Sequence, residues 1–329
     1  MPEIKFVSGP MATVSHRAFR NLIEKFGYCD EYFNEMINAG SLLTNNAFEK
    51  FYVDYLPSPQ KLVWQLTGFN ADKMTEAAAV LCSLPGLGLD LNMGCSAPEI
   101  VKSGAGISWM IKPIEETRQM VKSVRAVLND ENKKGVNSPK RFSVKLSLGD
   151  EDFTDEKFYN FTDMLVSEGV ELLTLHPRTR KEKLVRPPRY HYAEDLKKRY
   201  GNKIKVYLNG NIKDKLSYEN AIKNCPSVDG VMISRAAIQK PWIFKELKGF
   251  TSELDFEESA LSFIDDVLKY QPEEFWKTRL QRFFTYYAMN FKFSHYAQTL
   301  WLNAENPDDL KKRIRLFFEK CPEEKRRIV

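Results

Sequence analysis

No uninterrupted apolar run in this 329-residue chain is long enough to cross a bilayer. The five cysteines, Cys29, Cys82, Cys95, Cys225 and Cys321, include no C-x-x-C pair, which argues against a zinc site and against a disulfide scaffold. The first residues, Met1-Pro2-Glu3-Ile4-Lys5, lack the basic-then-apolar layout of a signal peptide. The expected compartment is therefore a reducing cytoplasm. There is no short-period repeat, no low-complexity segment, and no G-x-G-x-x-G after the first strand. The C-terminal part is not basic either: residues 251–329 carry 13 Lys plus Arg against 14 Asp plus Glu. A nucleic-acid surface there would have to come from local clustering.

What is present is ordinary for a soluble globular protein, with 43% hydrophobic and 28% charged residues. The net charge of +5 is compatible with a polyanionic partner without requiring one. Across the first ~240 residues, short β-rich runs alternate with amphipathic stretches. The strand candidates are 4–7, 31–36, 61–66, 88–92, 142–146, 172–176, 205–209 and 230–234. Helix candidates between them are 16–26, 71–83, 113–128, 156–168, 190–200 and 214–224. Eight such units predict a (β/α)8 barrel, with an open doubly wound sheet as the alternative. After about Phe250 the β pattern stops, and 257–270, 272–291, 294–302 and 307–320 read as helices. The expected organisation is a TIM-barrel catalytic domain over 1–248 followed by a small C-terminal helical domain over 249–329. The polar stretch 131–140 reads as a solvated surface connection.

In a (β/α)8 barrel the functional groups sit at the carboxyl ends of the strands. Those ends carry Ser8-Gly9-Pro10-Met11, Glu35, Gln65 with Gly68, Asn92 with Cys95, Lys145, His176 with Arg178 and Arg180, Asn209-Gly210-Asn211, and Ser234-Arg235. Each has a plain structural reading: Gln65 a solvated edge residue, Lys145 a helix partner, His176 a satisfied core histidine, Asn209-Gly210 a turn, Cys95 a buried structural thiol. Their coincidence at one rim favours a site. A free thiol is mostly protonated at neutral pH and can give a proton. Gly210 permits close backbone approach, and Arg235 suits a phosphate. A phosphate there would run its head group toward Lys145, Gln65 and His176. That describes flavin mononucleotide (FMN), although other phosphorylated ligands fit as well.

Taken together, these segments resemble the dihydrouridine synthases, flavoenzymes that reduce uridine in RNA. The resemblance spans roughly 4–246. It is carried by Gly9-Pro10-Met11-Ala12-Thr13-Val14 with Phe19-Arg20, Asn34-Glu35-Met36, Val63-Trp64-Gln65-Leu66-Thr67-Gly68, Asn92-Met93-Gly94-Cys95, Val144-Lys145, Leu175-His176 with Arg178-Thr179-Arg180, Leu208-Asn209-Gly210-Asn211-Ile212 and Gly230-Val231-Met232-Ile233-Ser234-Arg235. The resemblance implies FMN reduced by NADPH, hydride transfer to uracil C6, and protonation of C5 by Cys95. It implies that Gln65, Lys145 and His176 hold the flavin ring and ribityl chain, and that Pro10 and Met11 line its face. Asn209, Gly210, Asn211, Ser234 and Arg235 would surround the phosphate. Asn92 would meet the substrate base, and Arg178 and Arg180 the base or the RNA.

The expected partner is tRNA, at elbow loops whose bases are partly unstacked, with no membrane and no stable protein partner. In the helical part, Arg279 and Arg282 are the RNA-contact candidates, and Phe283, Phe284, Tyr287 and Phe291 read as bundle core. Ser96, Ser147, Pro177, Asn211 and Ser234 depart from the usual family pattern, which implies a divergent, bacterial-type branch. The competing readings are the same chemistry on ribosomal RNA, an FMN barrel reductase acting on a small enone or pyrimidine, and an RNA-binding protein without catalysis.

Overall fold

A computed structural model describes residues 3–44, 46–135, 140–182 and 185–329. The strands are β1 (Lys5–Ser8), β2 (Glu31–Phe33), β3 (Ile37–Asn38), β4 (Leu62–Thr67), β5 (Gly88–Met93), β6 (Arg141–Gly149), β7 (Leu172–Thr179), β8 (Lys205–Asn209) and β9 (Gly230–Ile233). All pairings among them are parallel. β1 pairs with both β2 and β9, and β2 pairs with β4, so the sheet closes. β2 and β3 are two pieces of one barrel strand, interrupted at Asn34-Glu35-Met36. At the break the Asn34 side-chain oxygen accepts the Gln65 N–H at 2.7 Å, so a side chain takes over a ladder bond. The fold is an eight-stranded TIM barrel followed by helices.

Strand alternation divides the apolar residues into two clusters. Val7, Phe33, Val63, Leu172, Tyr207 and Met232 form one, the plug of the barrel interior. Their neighbours, such as Trp64, Leu89, Val144 and Leu208, belong to the larger core shared with the helices. Below the plug, Arg141 donates to both oxygens of buried Glu31, at 3.0 and 2.6 Å, and Tyr207 and Lys5 join the same carboxylate. This ion cluster leaves the opposite, carboxyl-terminal end for function.

Helices begin where short polar side chains cap exposed N–H groups. Asn70 caps 71–83, Thr154 caps 155–167, and Asp214 forms a capping box with Ser217. Helix Ile114–Lys134 runs six residues beyond the expected end at 128, and Gly135 at φ 67° ends it. The reading of 131–140 as a solvated connection is corrected accordingly. Glu131–Lys134 are helical, and Lys140 is buried with its ammonium donating to the Gly86 carbonyl at 2.8 Å. The remainder of that stretch, 136–139, lies outside the described residues.

The C-terminal helices are Phe256–Tyr270, Glu273–Tyr287, Ser294–Leu302 and Pro307–Lys320. The expectation that β structure stops near Phe250 is also corrected. β10 (Glu253–Asp255) pairs antiparallel with β11 (Arg326–Ile328), clasping the two ends of the bundle together. Three-residue strands are too short for alternation to register. Phe283, Phe284, Tyr287 and Phe291 are buried, as expected of core. Phe283 stacks on Phe263 at 3.8 Å and meets Phe19 of the first barrel helix edge-on at 6.5 Å. Bundle and barrel therefore share one hydrophobic core.

Arg279 stands in this junction and is not an RNA contact. Its side chain is 2% exposed, and its Nη1 donates to Glu35 Oε1 at 2.7 Å, where Glu35 is 4% exposed. The other Glu35 oxygen accepts the N–H of Thr13 at 2.7 Å, a residue held at φ 65°. Phe275 and Tyr52 pack against the guanidinium. A basic residue in an amphipathic helix reads as solvated unless its partner is known, and here the partner is 244 residues away. Removing one member of such a pair strands the other charge, a loss of about 3–5 kcal/mol. Chemical denaturation should show that loss for Arg279→Met and a smaller one for the double Glu35→Gln/Arg279→Met. Equal losses would show that the pair is not what holds the junction.

Candidate active site

The barrel mouth is built from inward residues one layer above the plug. On β4, β5 and β6 these are Gln65, Asp90 with Asn92, and Ser143 with Lys145. Register places Asn92 opposite Lys145 and Gln65 opposite Asp90. Asp90 is fully buried and accepts from Gln65 Nε2 at 2.8 Å and from Ser143 Oγ at 2.7 Å. Gln65 Oε1 accepts from Asn92 Nδ2 at 2.9 Å. Asn92 Oδ1 accepts the backbone N–H of Cys95 at 3.0 Å and that of Gly94 at 3.3 Å. A continuous polar chain thus runs from the barrel interior to the cysteine loop. Asn92 braces that loop: its side-chain oxygen is spent on two backbone donors.

Cys95 is the one cysteine of the five that is not buried. Burial pushes the thiols of Cys82 and Cys225 up to about 12, which leaves them inert. The loop after Cys95 returns on itself, with Ile107 N–H donating to the Cys95 carbonyl at 3.0 Å. Gly106 makes this possible: it sits at φ 62°, and a Cβ there would come within 2.5 Å of that carbonyl oxygen.

Opposite this chain, positive groups collect. Lys145 has no hydrogen-bond or ion-pair partner among the described residues, and burial holds its ammonium below the usual lysine range. His176 is held down to about 3 by burial first, then by Lys145, Arg178 and Arg235. Its Nε2 lies 2.9 Å from Arg178 Nη1. Arg178 has only donors, so Nε2 accepts, and the imidazole is neutral with its hydrogen on Nδ1. Arg178 is 3% exposed and also donates to the Arg186 carbonyl, so it supports His176 from beneath the surface. Arg180 is paired with Asp150 at 3.0 Å on the neighbouring loop. Arg235 is exposed in the first turn of a short helix, 235–239. Arg282 is exposed on the bundle.

Around these groups the backbone comes close. A Cβ on Gly9 would collide with Ser234 Oγ, and one on Gly210, at φ 135°, would lie 3.0 Å from His176 Cδ2. Asn209 Nδ2 donates to the Met232 carbonyl at 2.8 Å, bracing the adjacent strand ends. Pro10 and Met11 are half-buried in a turn that Ser15 pins by accepting from Met11 N–H at 2.9 Å. Asn211 follows Gly210 at φ 60° and is exposed. An unpaired ammonium, a neutral histidine donor and an exposed guanidinium around a glycine-lined floor suit an anionic, acceptor-rich, planar ligand. Among the described residues no cluster of His, Cys, Asp and Glu could hold a metal, and no helix is long and apolar enough to cross a membrane.

Comparison with known proteins identifies the family. The dihydrouridine synthase (Dus) family model matches residues 6–312. The chain belongs to the dihydrouridine synthase family. A probable tRNA-dihydrouridine synthase of Aquifex aeolicus is 27% identical over 317 residues, covering 94% of each chain. A probable tRNA-dihydrouridine synthase 2 of Bacillus subtilis is 25% identical over 331 residues, covering 97% of this chain and 96% of its own. A mouse tRNA-dihydrouridine(47) synthase-like protein is 29% identical over 248 residues, 74% of this chain and 36% of its own. An old yellow enzyme homologue of Zymomonas mobilis covers 72% of this chain and 86% of its own at TM-score 0.48 and 12% identity, too loose a likeness to add to the topology.

Two residues bonded to this candidate site escaped sequence reading. Asp90 stands two residues before Asn92 and faces inward with it, a signal that strand alternation offers. Tyr190, whose hydroxyl donates to the Gly210 carbonyl at 3.1 Å, comes from a helix start and carries no such signal. Burial is the largest influence on Asp90 and raises its carboxyl to about 6, against the opposing hydrogen bonds of Gln65 and Ser143. An unfolded aspartate ionises near 3.9. The folded state therefore holds the extra proton between about pH 4 and 6, and stability falls as pH rises through that window. The two-unit shift corresponds to about 3 kcal/mol at neutral pH. Asp90→Asn should accordingly raise the unfolding free energy at pH 8, with a gain that shrinks as pH drops from about 6 to about 4. A gain independent of pH would contradict the assignment.

Proposed function

We propose that this chain reduces uridine in tRNA to 5,6-dihydrouridine, with FMN as its bound cofactor, NADPH as the reductant and Cys95 as the proton donor. The observation that carries the reading is the half-buried Cys95 thiol, two residues past the end of β5 and within electrostatic reach of Lys145, next to strand ends where glycines bring the backbone close. The donor set fits FMN. Lys145 and the Nδ1–H of His176 can meet acceptors of an isoalloxazine ring, with Gln65 offering an amide. Arg235 and the backbone around Gly210, Asn211 and Ser234 suit a phosphate, and Pro10 and Met11 offer an apolar wall. When bound, the flavin supplies the hydride that reaches uracil C6. Cys95 then gives its proton to C5, acting as general acid, and regains one from solvent. The Asn92 bond to the Cys95 backbone keeps the donor loop in place while the ring is protonated.

The target base must leave its stack to enter the barrel mouth, which favours RNA loops whose bases are already loosened. Arg282 and Lys277, both exposed on the bundle, supply positive charge for the phosphates. Removal of a general acid commonly costs about 10²–10⁴-fold. The test is nucleoside mass spectrometry on tRNA and ribosomal RNA from a strain lacking this gene, treated with purified protein and NADPH. Dihydrouridine should form in the tRNA pool and fall by at least about a hundredfold with Cys95→Ala. Product confined to ribosomal RNA would replace the substrate assignment, and no product in either pool from flavin-loaded protein would sink the function.

A further inference from the structure

Four polar side chains between the barrel interior and the cysteine loop form an ordered series whose direction is fixed only by its ends. Two of them, Gln65 and Asn92, are amides, and an amide has nearly the same shape when its oxygen and nitrogen are exchanged. The series Ser143–Asp90–Gln65–Asn92–Cys95 N–H could in principle run with either polarity. At one end stands the Cys95 backbone N–H, which can only donate. At the other stands the Asp90 carboxylate, which can only accept. With both ends in place, Gln65 must turn its nitrogen to Asp90 and its oxygen to Asn92, and Asn92 must turn its oxygen to Cys95.

We propose, on the basis of the flavin assignment above, that Asp90 is a positioning residue: by accepting from Gln65 it fixes the orientation in which the Gln65 amide meets the bound ring. Asp90 stands level with Gln65 in the register of β4 and β5 and is fully buried, so it acts through that amide and touches neither cofactor nor substrate. With the chain satisfied, one hydrogen on Gln65 Nε2 and one lone pair on Oε1 remain, and because Gln65 is only 1% exposed they are open to a ring seated directly on it and not to solvent. A reversed amide would present them the other way round, and the Gln65 nitrogen would then face the Asn92 nitrogen. The retention of a fully buried carboxylate, whose burial works against its ionised form, is explained by this demand for an acceptor that cannot reverse.

Asp90→Asn keeps an acceptor but makes it reversible, with the Ser143 hydroxyl free to rotate and accept. Asp90→Leu keeps the approximate volume and removes the acceptor. Each is made alone and on a Gln65→Leu background. The readouts are the midpoint potential of the bound flavin, followed by its visible spectrum during anaerobic reduction, and the kcat and KM for dihydrouridine formation. Asp90→Leu should shift the potential and lower kcat about tenfold or more, in line with an unpaired buried amide, with KM for RNA unchanged. Asp90→Asn should give a smaller change in both.

On the Gln65→Leu background neither substitution should add anything, because the residue through which Asp90 acts is gone. An Asp90→Asn enzyme as impaired as Asp90→Leu would overturn the proposal in favour of a role for the charge itself. Effects that persist without Gln65 would overturn it as well. If Asp90→Leu fails to fold, Asp90→Asn decides: a small change that disappears on the Gln65→Leu background supports orientation, whereas no change, a large change or one that persists there refutes it. Wild-type protein without flavin would instead bring down the functional assignment, and this inference with it.

Discussion

Glu35 joins three parts of the molecule through one buried carboxylate. One oxygen holds the Thr13 backbone in the turn that follows β1, and the other holds Arg279 of the C-terminal bundle. Glu35 can reach both because the second barrel strand breaks at Asn34-Glu35-Met36 and resumes as β3. A regular strand would have kept this residue in the ladder. Arg279 stands one helical turn before Phe283, the hub of an aromatic seam that joins Phe19, Phe263 and Phe284. Burying an ion pair is weak evidence for stability, since desolvation offsets most of the Coulomb gain. What it gives here is register: it ties the second bundle helix to the break in the second barrel strand, while the first bundle helix packs on the barrel helix Arg17–Phe26 and the second on the short helix Arg235–Gln239.

The mouth itself is divided electrostatically. On one side the Asp90–Gln65–Asn92 chain is neutral at its upper end and committed to its own partners. On the other side Lys145, His176, Arg178 and Arg235 place several donors and positive charges with few protein acceptors among them. A barrel that needed these groups only for stability would pair them, as it pairs Glu31 with Arg141 and Lys5 at the closed end. Unmatched donors over a floor where the backbone comes close, with a Cβ on Gly9 meeting Ser234 Oγ and one on Gly210 crowding His176, are the arrangement of a ligand site. Cys95 adds a thiol at its border, on a loop that Asn92 and Gly106 keep in one shape.

Most of this was legible in the sequence because barrel strands announce themselves by apolar runs and end at functional residues. β8 (Lys205–Asn209) falls on its expected residues, and the other main strands differ mostly by one to three positions. β6 and β7 run further, to Gly149 and Thr179, through Ser147-Leu148-Gly149 and Pro177-Arg178-Thr179, where glycine, proline and polar residues read as loop. What stayed hidden depended on distant partners. Arg279 looks like any solvated arginine until Glu35 is placed beside it, and β10 cannot be seen without β11. Asp90 sat in plain view in Leu89-Asp90-Leu91-Asn92. Its importance follows only from the direction of hydrogen bonds, which no sequence pattern records.

The account stands or falls on whether the unmatched donors at the barrel mouth hold an anionic flavin. The direct measurement is the visible spectrum of the purified protein, with mass identification and quantitation of the flavin released on denaturation. The account predicts about one FMN per chain, taken up again when stripped protein is mixed with FMN. Protein that carries no flavin and fails to bind added FMN would contradict it, whatever RNA it binds.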